Sequence, residues 1–315
     1  MAFWKPFDDA PVHLVDTSDG WRLKVREFPG PGGKGTIYLQ HGLGASHRNF
    51  DLHPHGPSPA RWLAQRGWRV FTGELRGRSG GGPAKSWNFS DYLLRDVPAL
   101  CAFVRRRSGE RIHFVGHSMG GFLGLAHAAL DDGKALASVT TLGAALHYGL
   151  SPNAFSRLLP LRPLLERLPM MIPNVLGHRL LGALWALRLL PGWHYRRRNM
   201  TLRAVLAFHG HAAADITVAE LLELATTFSG EGILCSELGR RLPELARRLP
   251  VPWLSVAGAY DLQCPPEAAA WTYERVSAPR KRWLLCPEYG HFDLACGMDA
   301  HRDVWPEVVR FLENC

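Results

Sequence analysis

The 315-residue chain has no apolar run near the ~20 residues a membrane-crossing helix needs; in its Leu-rich middle the stretch Leu180 to Leu187 stops at Arg188. Its start, Met1 to Asp9, lacks a charged segment followed by an apolar one, so no secretory signal is expected. Lysine is scarce, six residues against 31 arginines, and the arginines are scattered rather than gathered on one arm, which argues against a nucleic-acid partner. The six cysteines form no CxxC pair, which removes ribbon-type zinc sites and redox pairs. Cys101 falls in a helical pattern and Cys286 in a strand pattern, as small buried hydrophobes do; a Cys286–Cys296 bridge stays open. A reduced, cytoplasmic setting is expected. No Lys-Ser/Thr follows Gly80-Gly81-Gly82, so no nucleotide-binding loop is read there. His53 with His55, and His209 with His211, are close pairs, but no carboxylate or Cys set completes a metal site. Neither a metal nor a cofactor is expected.

What is present is an ordinary globular composition, 46% hydrophobic and 21% charged, which excludes a disordered chain. The net charge of +9 leaves room for a basic face near an anionic or lipid surface. Strand patterns at 12–15 and 21–28 are joined by the Asp19-Gly20 turn, and further strands are read at 36–40, 68–72, 111–116 and 137–142. Helices are read between them at 60–66, 92–107 (kinked at Pro98) and 119–130. Such alternation predicts an α/β fold with a mostly parallel sheet covered on both faces. From residue 144 to 235 it stops: Leu, Arg and Pro dominate, with no convincing strand, which predicts short helices. Strands resume at 252–256 and 282–285, with helices at 267–276 and 301–313. The reading is a core of residues 1–143 and 236–315 with a helical cap inserted at 144–235.

The most specific signal is Gly116-His117-Ser118-Met119-Gly120, between an apolar strand and a helix. In a G-x-S-x-G elbow the glycines let the backbone turn sharply, so the Ser hydroxyl projects above the sheet. That hydroxyl needs a base, and the base an orienting carboxylate, in chain order Ser, acid, His. Asp261 follows a late strand, while the alternative place for the acid, residues 144–148, offers no carboxylate. His291, beside Gly290 and downstream of both, is the base; His301 is the fallback but begins a helix. Oxyanion donors are expected from the backbone N–H groups of Met119 and Leu43, the latter in Gln40-His-Gly-Leu-Gly44. Gly42, Gly44 and His117 are read as substrate contacts.

These residues resemble the α/β-hydrolase superfamily and, within it, the acid lipase and steryl-ester hydrolase group. The finer likeness lies in Leu39-Gln-His-Gly-Leu43 with Ser46 and Asn49, in Arg76-Gly77, in Trp87-Asn-Phe-Ser with Asp96-Val-Pro98, and in Val115 to Gly120. The resemblance implies the α/β-hydrolase fold, catalysis by Ser118, Asp261 and His291, and an oxyanion hole at Leu43 and Met119. Where the family usually has Gln, this chain has Met119. A serine hydrolase acting on hydrophobic carboxylic esters is expected; a thioesterase, polyester depolymerase, lactonase or acyltransferase would use the same triad. In the cap, Leu158, Leu159, Leu161, Leu164, Leu165, Leu168 and Met170–Ile172 interleave with Arg162, Arg167, Arg179 and Arg188. That pattern suits a lid over an acyl pocket with a weak lipid-surface contact.

Overall fold

The computed structural model describes residues 9–52, 57–78, 81–82, 86–150, 153, 156, 160, 163, 171–172, 174–186, 189 and 194–315. Eight strands form one sheet: β1 (Val12–Asp16), β2 (Arg22–Phe28), β3 (Thr36–Gln40), β4 (Arg69–Gly73), β5 (Ile112–His117), β6 (Leu136–Leu142), β7 (Trp253–Gly258) and β8 (Lys281–Cys286). Their spatial order is β1-β2-β4-β3-β5-β6-β7-β8. The β1–β2 and β2–β4 pairs are antiparallel and every other pair is parallel. Every residue of β3, β5 and β7 is buried, which explains their unbroken apolar runs, whereas the edge strand β1 is mostly open to solvent.

The principal helices are α1 (Pro59–Ala64), α2 (Val97–Ser108), α3 (Met119–Leu130), α4 (Asn174–Ala186), α5 (Leu202–His211), α6 (Val218–Leu224), α7 (Pro266–Arg275) and α8 (Trp305–Leu312). One core holds Leu100, Leu123 and Ala268 of α2, α3 and α7; the other holds Leu63 and Val308 of α1 and α8. The sheet therefore carries a helical layer on each face.

Three elements differ from the sequence reading. The helix read at 92–107 opens with a wide turn over Tyr92–Asp96, where Val97 N–H donates to Tyr92 O, and the regular helix starts only at Val97. Helical backbone runs unbroken from Phe89 through this wide turn, so Pro98 follows directly on an interruption of the regular ladder inside the run. The final helix is split: a short turn at Ala300–Asp303 ends before Pro306 restarts the chain in α8. The segment read without strands contains two-residue ladders, Met171–Ile172 with Ile216–Thr217 and Leu234–Cys235 with Arg240–Arg241, too short to leave a period. All six cysteines are unpaired, Cys286 and Cys296 included.

The long insertion leaves after β6 and returns at β7, its neighbour in the sheet. Its helix α6 is tied down by two carboxylates. Glu220 meets the Arg78 guanidinium at 3.4 Å with both side chains fully enclosed. Glu223 accepts from the Ser90 N–H, the Ser90 hydroxyl and the Ser236 N–H. Nearer the site, Tyr195, Met200, Ala204, Val205 and Phe208 cluster with Ala45, Leu52 and Phe292 of the core. Leu158, Leu159, Leu161, Leu164, Leu165, Leu168 and Met170, with Arg162, Arg167 and Arg188, lie outside the described residues, as do His53, His55 and Gly80.

Candidate active site

The link from β5 to α3 turns at Ser118, which holds φ 53° and ψ −122°, a conformation L residues rarely adopt and one seen where function over-determines the backbone. The motif glycines are needed for that turn. A Cβ on Gly116 would lie 2.2 Å from Gly120 O, and one on Gly120 would lie 2.3 Å from Gln40 O. Ser118 N–H donates to Leu142 O at 2.9 Å, fixing the turn against β6. The residue keeps 9% of its surface accessible.

Asp261 and His291 meet as the sequence order requires. His291 Nδ1 lies 2.7 Å from Asp261 Oδ2, and both side chains are enclosed. The other oxygen, Asp261 Oδ1, accepts from the N–H groups of Gln263 (2.9 Å) and Cys264 (2.8 Å), so the carboxylate is fixed before it orients the imidazole. His291 Nε2 is buried and has no hydrogen-bond partner, Ser118 Oγ included. His117, next to Ser118, hydrogen-bonds His291 O at 3.1 Å, so Ser118 and His291 share one corner of the molecule.

Met119 opens α3, so its N–H has no intrahelical acceptor, and the Leu43 N–H donates to no described backbone carbonyl. The loop bearing Leu43 presses on the elbow: a Cβ on Gly42 would sit 2.9 Å from Ser118 Cβ. Gly44, at φ +58, contacts the cap instead, its O accepting from Asn174 Nδ2 at 3.2 Å. His117 was expected to touch substrate. It is completely buried under the elbow with both ring nitrogens engaged, so it cannot face a bound ester. His301 is exposed on its short turn, away from these residues.

Sequence reasoning gave no role to three residues. Gly143, at φ 57°, follows β6, and a Cβ there would lie 2.9 Å from Asp261 Oδ2 and 3.1 Å from His291 Nδ1. The signal was present: the residue that closes β6, where an acid was sought, is a glycine. Asp293 is buried and accepts from the N–H groups of Gly290 and Arg196 and from Asn199 Nδ2, clamping the His291 loop to the insertion. Asn49 lies 3.0 Å from His117.

A Ser–His hydrogen bond does occur elsewhere, between His113 Nδ1 and Ser138 Oγ at 2.8 Å. It sits at the opposite ends of β5 and β6 from the elbow, edge-on to Trp68, and burial pushes the His113 pKa down to about 4. Ser138 is buried within its strand, where the β5–β6 register shifts, so the pair reads as structural. His209 belongs to a cap cluster with His178 and Tyr195. Among the described residues no group of three or more His, Cys, Asp or Glu is arranged to hold a metal ion.

A family model described as serine aminopeptidase, S33 (Hydrolase_4) matches residues 32–294. The chain is 25% identical to a gastric triacylglycerol lipase of Mus musculus, over 95% of this chain and 87% of that protein. It is 24% identical to lipase member M of Homo sapiens, over 95% and 82%. Among solved structures, the monoacylglycerol lipase of Paleococcus ferrophilus superposes with TM-score 0.65 at 18% identity, covering 93% of this chain and 98% of that one. An esterase from Exiguobacterium antarcticum gives TM-score 0.64 at 16% identity, covering 95% and 98%.

Proposed function

The chain belongs to the serine aminopeptidase S33 (Hydrolase_4) family of α/β-hydrolases, and from that premise we propose that it is a serine hydrolase of hydrophobic carboxylic esters. The observation that carries the reading is the enclosed Asp261–His291 pair, with a free Nε2, in the same corner as a strained Ser118. Ser118 Oγ attacks the ester carbonyl while His291 Nε2 takes its proton. The Asp261 carboxylate holds the Nδ1–H tautomer and stabilises the imidazolium that forms. The Leu43 and Met119 N–H groups receive the developing oxyanion. His291 then protonates the leaving alcohol, and water releases the acyl group by the same route in reverse.

A hydrophobic ester substrate is supported by the likeness to lipases, and a weak lipid contact by the outer surface of the insertion. Leu176, Leu180 and Leu184 recur every fourth residue on α4 and are exposed, beside exposed Leu202 and Leu206 of α5. Six unpaired cysteines suit work in a reducing compartment such as the cytoplasm. No helix among the described residues is long and apolar enough to cross a membrane.

The test is labelling by a fluorophosphonate, which should modify the wild-type protein and leave Ser118→Ala untouched; equal labelling of both would refute the assignment. A panel of p-nitrophenyl esters, acyl-CoAs, oligomeric hydroxyalkanoates and aminoacyl arylamides then separates ester hydrolysis from thioester, polyester and peptide chemistry on the same triad.

A further inference from the structure

His117 stands between the nucleophile and the base but touches neither reacting atom. Its Nε2 lies 3.1 Å from His291 O, and its Nδ1 lies 3.0 Å from the side-chain amide of Asn49, with the Oδ1 end turned toward it. A backbone carbonyl only accepts, so Nε2 must carry a hydrogen. With Oδ1 of Asn49 also an acceptor, the ring would have to be a cation. Complete burial works against that charge and lowers the His117 pKa well below the ordinary value. Asn49 Nδ2 has no partner, which identifies the remedy: rotating the amide by half a turn, with no change of shape, offers Nδ2 as a donor to Nδ1. Both ring nitrogens then match with a neutral ring.

Resting on the triad reading, we propose that His117 is a positioning residue: as the neutral Nε2–H tautomer, set by Asn49, it holds the main chain of His291 so that the imidazole is aimed at Ser118. The His291 ring is thereby restrained at two points, by Asp261 at Nδ1 and by His117 at its own carbonyl. Ring contact adds to this, the His117 and His291 centroids being 4.6 Å apart. Asn49 reaches the pair from the short turn His47–Asn49, just beyond the loop that carries Leu43, so the base and the oxyanion loop are keyed to one side chain. The Ser46 hydroxyl caps that turn.

The experiment has two arms. In the first, ring ¹⁵N spectra of the wild-type protein labelled at histidine, assigned by loss of the signals in His117→Gln, should show a neutral His117 protonated at Nε2. Protonation at Nδ1 or at both nitrogens would overturn the proposal. In the second, the second-order rate of fluorophosphonate labelling is compared for protein that labels to completion, which excludes misfolded material. His117→Phe removes the donor and should react about 10- to 100-fold more slowly, the scale of a misplaced catalytic group, while His117→Gln keeps one donor and one acceptor and should stay within about threefold of wild type. Equal rates for all three would overturn the positioning role while leaving the triad intact. Undiminished labelling of Ser118→Ala is a separate result, and would remove the triad on which the role depends.

Discussion

One methyl group at position 42 decides how close the oxyanion loop comes to the nucleophile. Its carbon would lie 2.9 Å from Ser118 Cβ and 3.2 Å from His117 O, so Gly42→Ala must push the Leu43 N–H away from its target. We expect kcat/KM to fall by about 10²-fold or more for Gly42→Ala, the cost of a lost oxyanion donor, with a much smaller change for Leu43→Ala, whose N–H survives. Steady-state kinetics on p-nitrophenyl esters give the ordering directly; the reverse ordering would place the donor elsewhere. At the base, Asp261→Asn keeps the shape but favours the wrong tautomer of His291, and kcat should fall by about 10⁴-fold.

The insertion between β6 and β7 is held unevenly, and its helices α6 and α4 answer differently to substitution. On α6, Glu220→Gln leaves the enclosed Arg78 without its counter-charge, and stability should drop by about 3–5 kcal/mol, read as the midpoint of urea unfolding. On α4, replacing Leu176, Leu180 and Leu184 together by Ser removes only exposed side chains. The urea midpoint should stay nearly constant, while activity on an emulsified ester falls relative to a soluble one. A parallel loss on both substrates would dissociate the α4 face from lipid contact. Elements with an unbroken apolar run between turn residues were legible from sequence: the fully buried strands β3, β5 and β7, and the helix α3 behind the elbow. The wide turn at Tyr92–Asp96 was not, since apolar residues spaced for a helix look alike whether one residue is looped out or none. The two-residue ladders in the insertion escaped for a plainer reason, having no room for alternation. Within the site, the sharp turn at Ser118 and the meeting of Asp261 with His291 could be anticipated, because the elbow motif and the loops after the last two strands are marked in the sequence. His117 was misread because a neighbour of the nucleophile can lie above the sheet or beneath it, and only packing decides which.

Over the whole molecule, burial keeps many imidazoles neutral. It lowers the pKa of His41 and His209 to about 3 and of His113, His127 and His178 to about 4. In the unfolded chain these histidines take up protons near pH 6.5. Between that value and about 4 the unfolded state therefore holds up to one more proton per histidine, and stability must fall as the pH falls. Glu74 acts in the same sense lower down, since its pKa, although burial raises it, is drawn to about 2 by His47 and its stabilising charge is lost on acidification. Thermal melts at pH 7, 5.5 and 4.5 should show a steep, progressive drop. His127 lies inside α3 with Nε2 unpartnered, so His127→Leu should shrink that drop; a melting temperature independent of pH would contradict the buried neutral state.

The neighbouring placement of β6 and β7 carries a last consequence. Because the chain resumes the sheet alongside the strand it left, whatever hangs between residues 142 and 253 can lengthen, shorten or be exchanged without re-threading a single strand. Ser118 lies before that stretch and Asp261 with His291 after it, so a graft there leaves the strand order untouched but has to keep Arg196 and Asn199, which hold Asp293 beside His291.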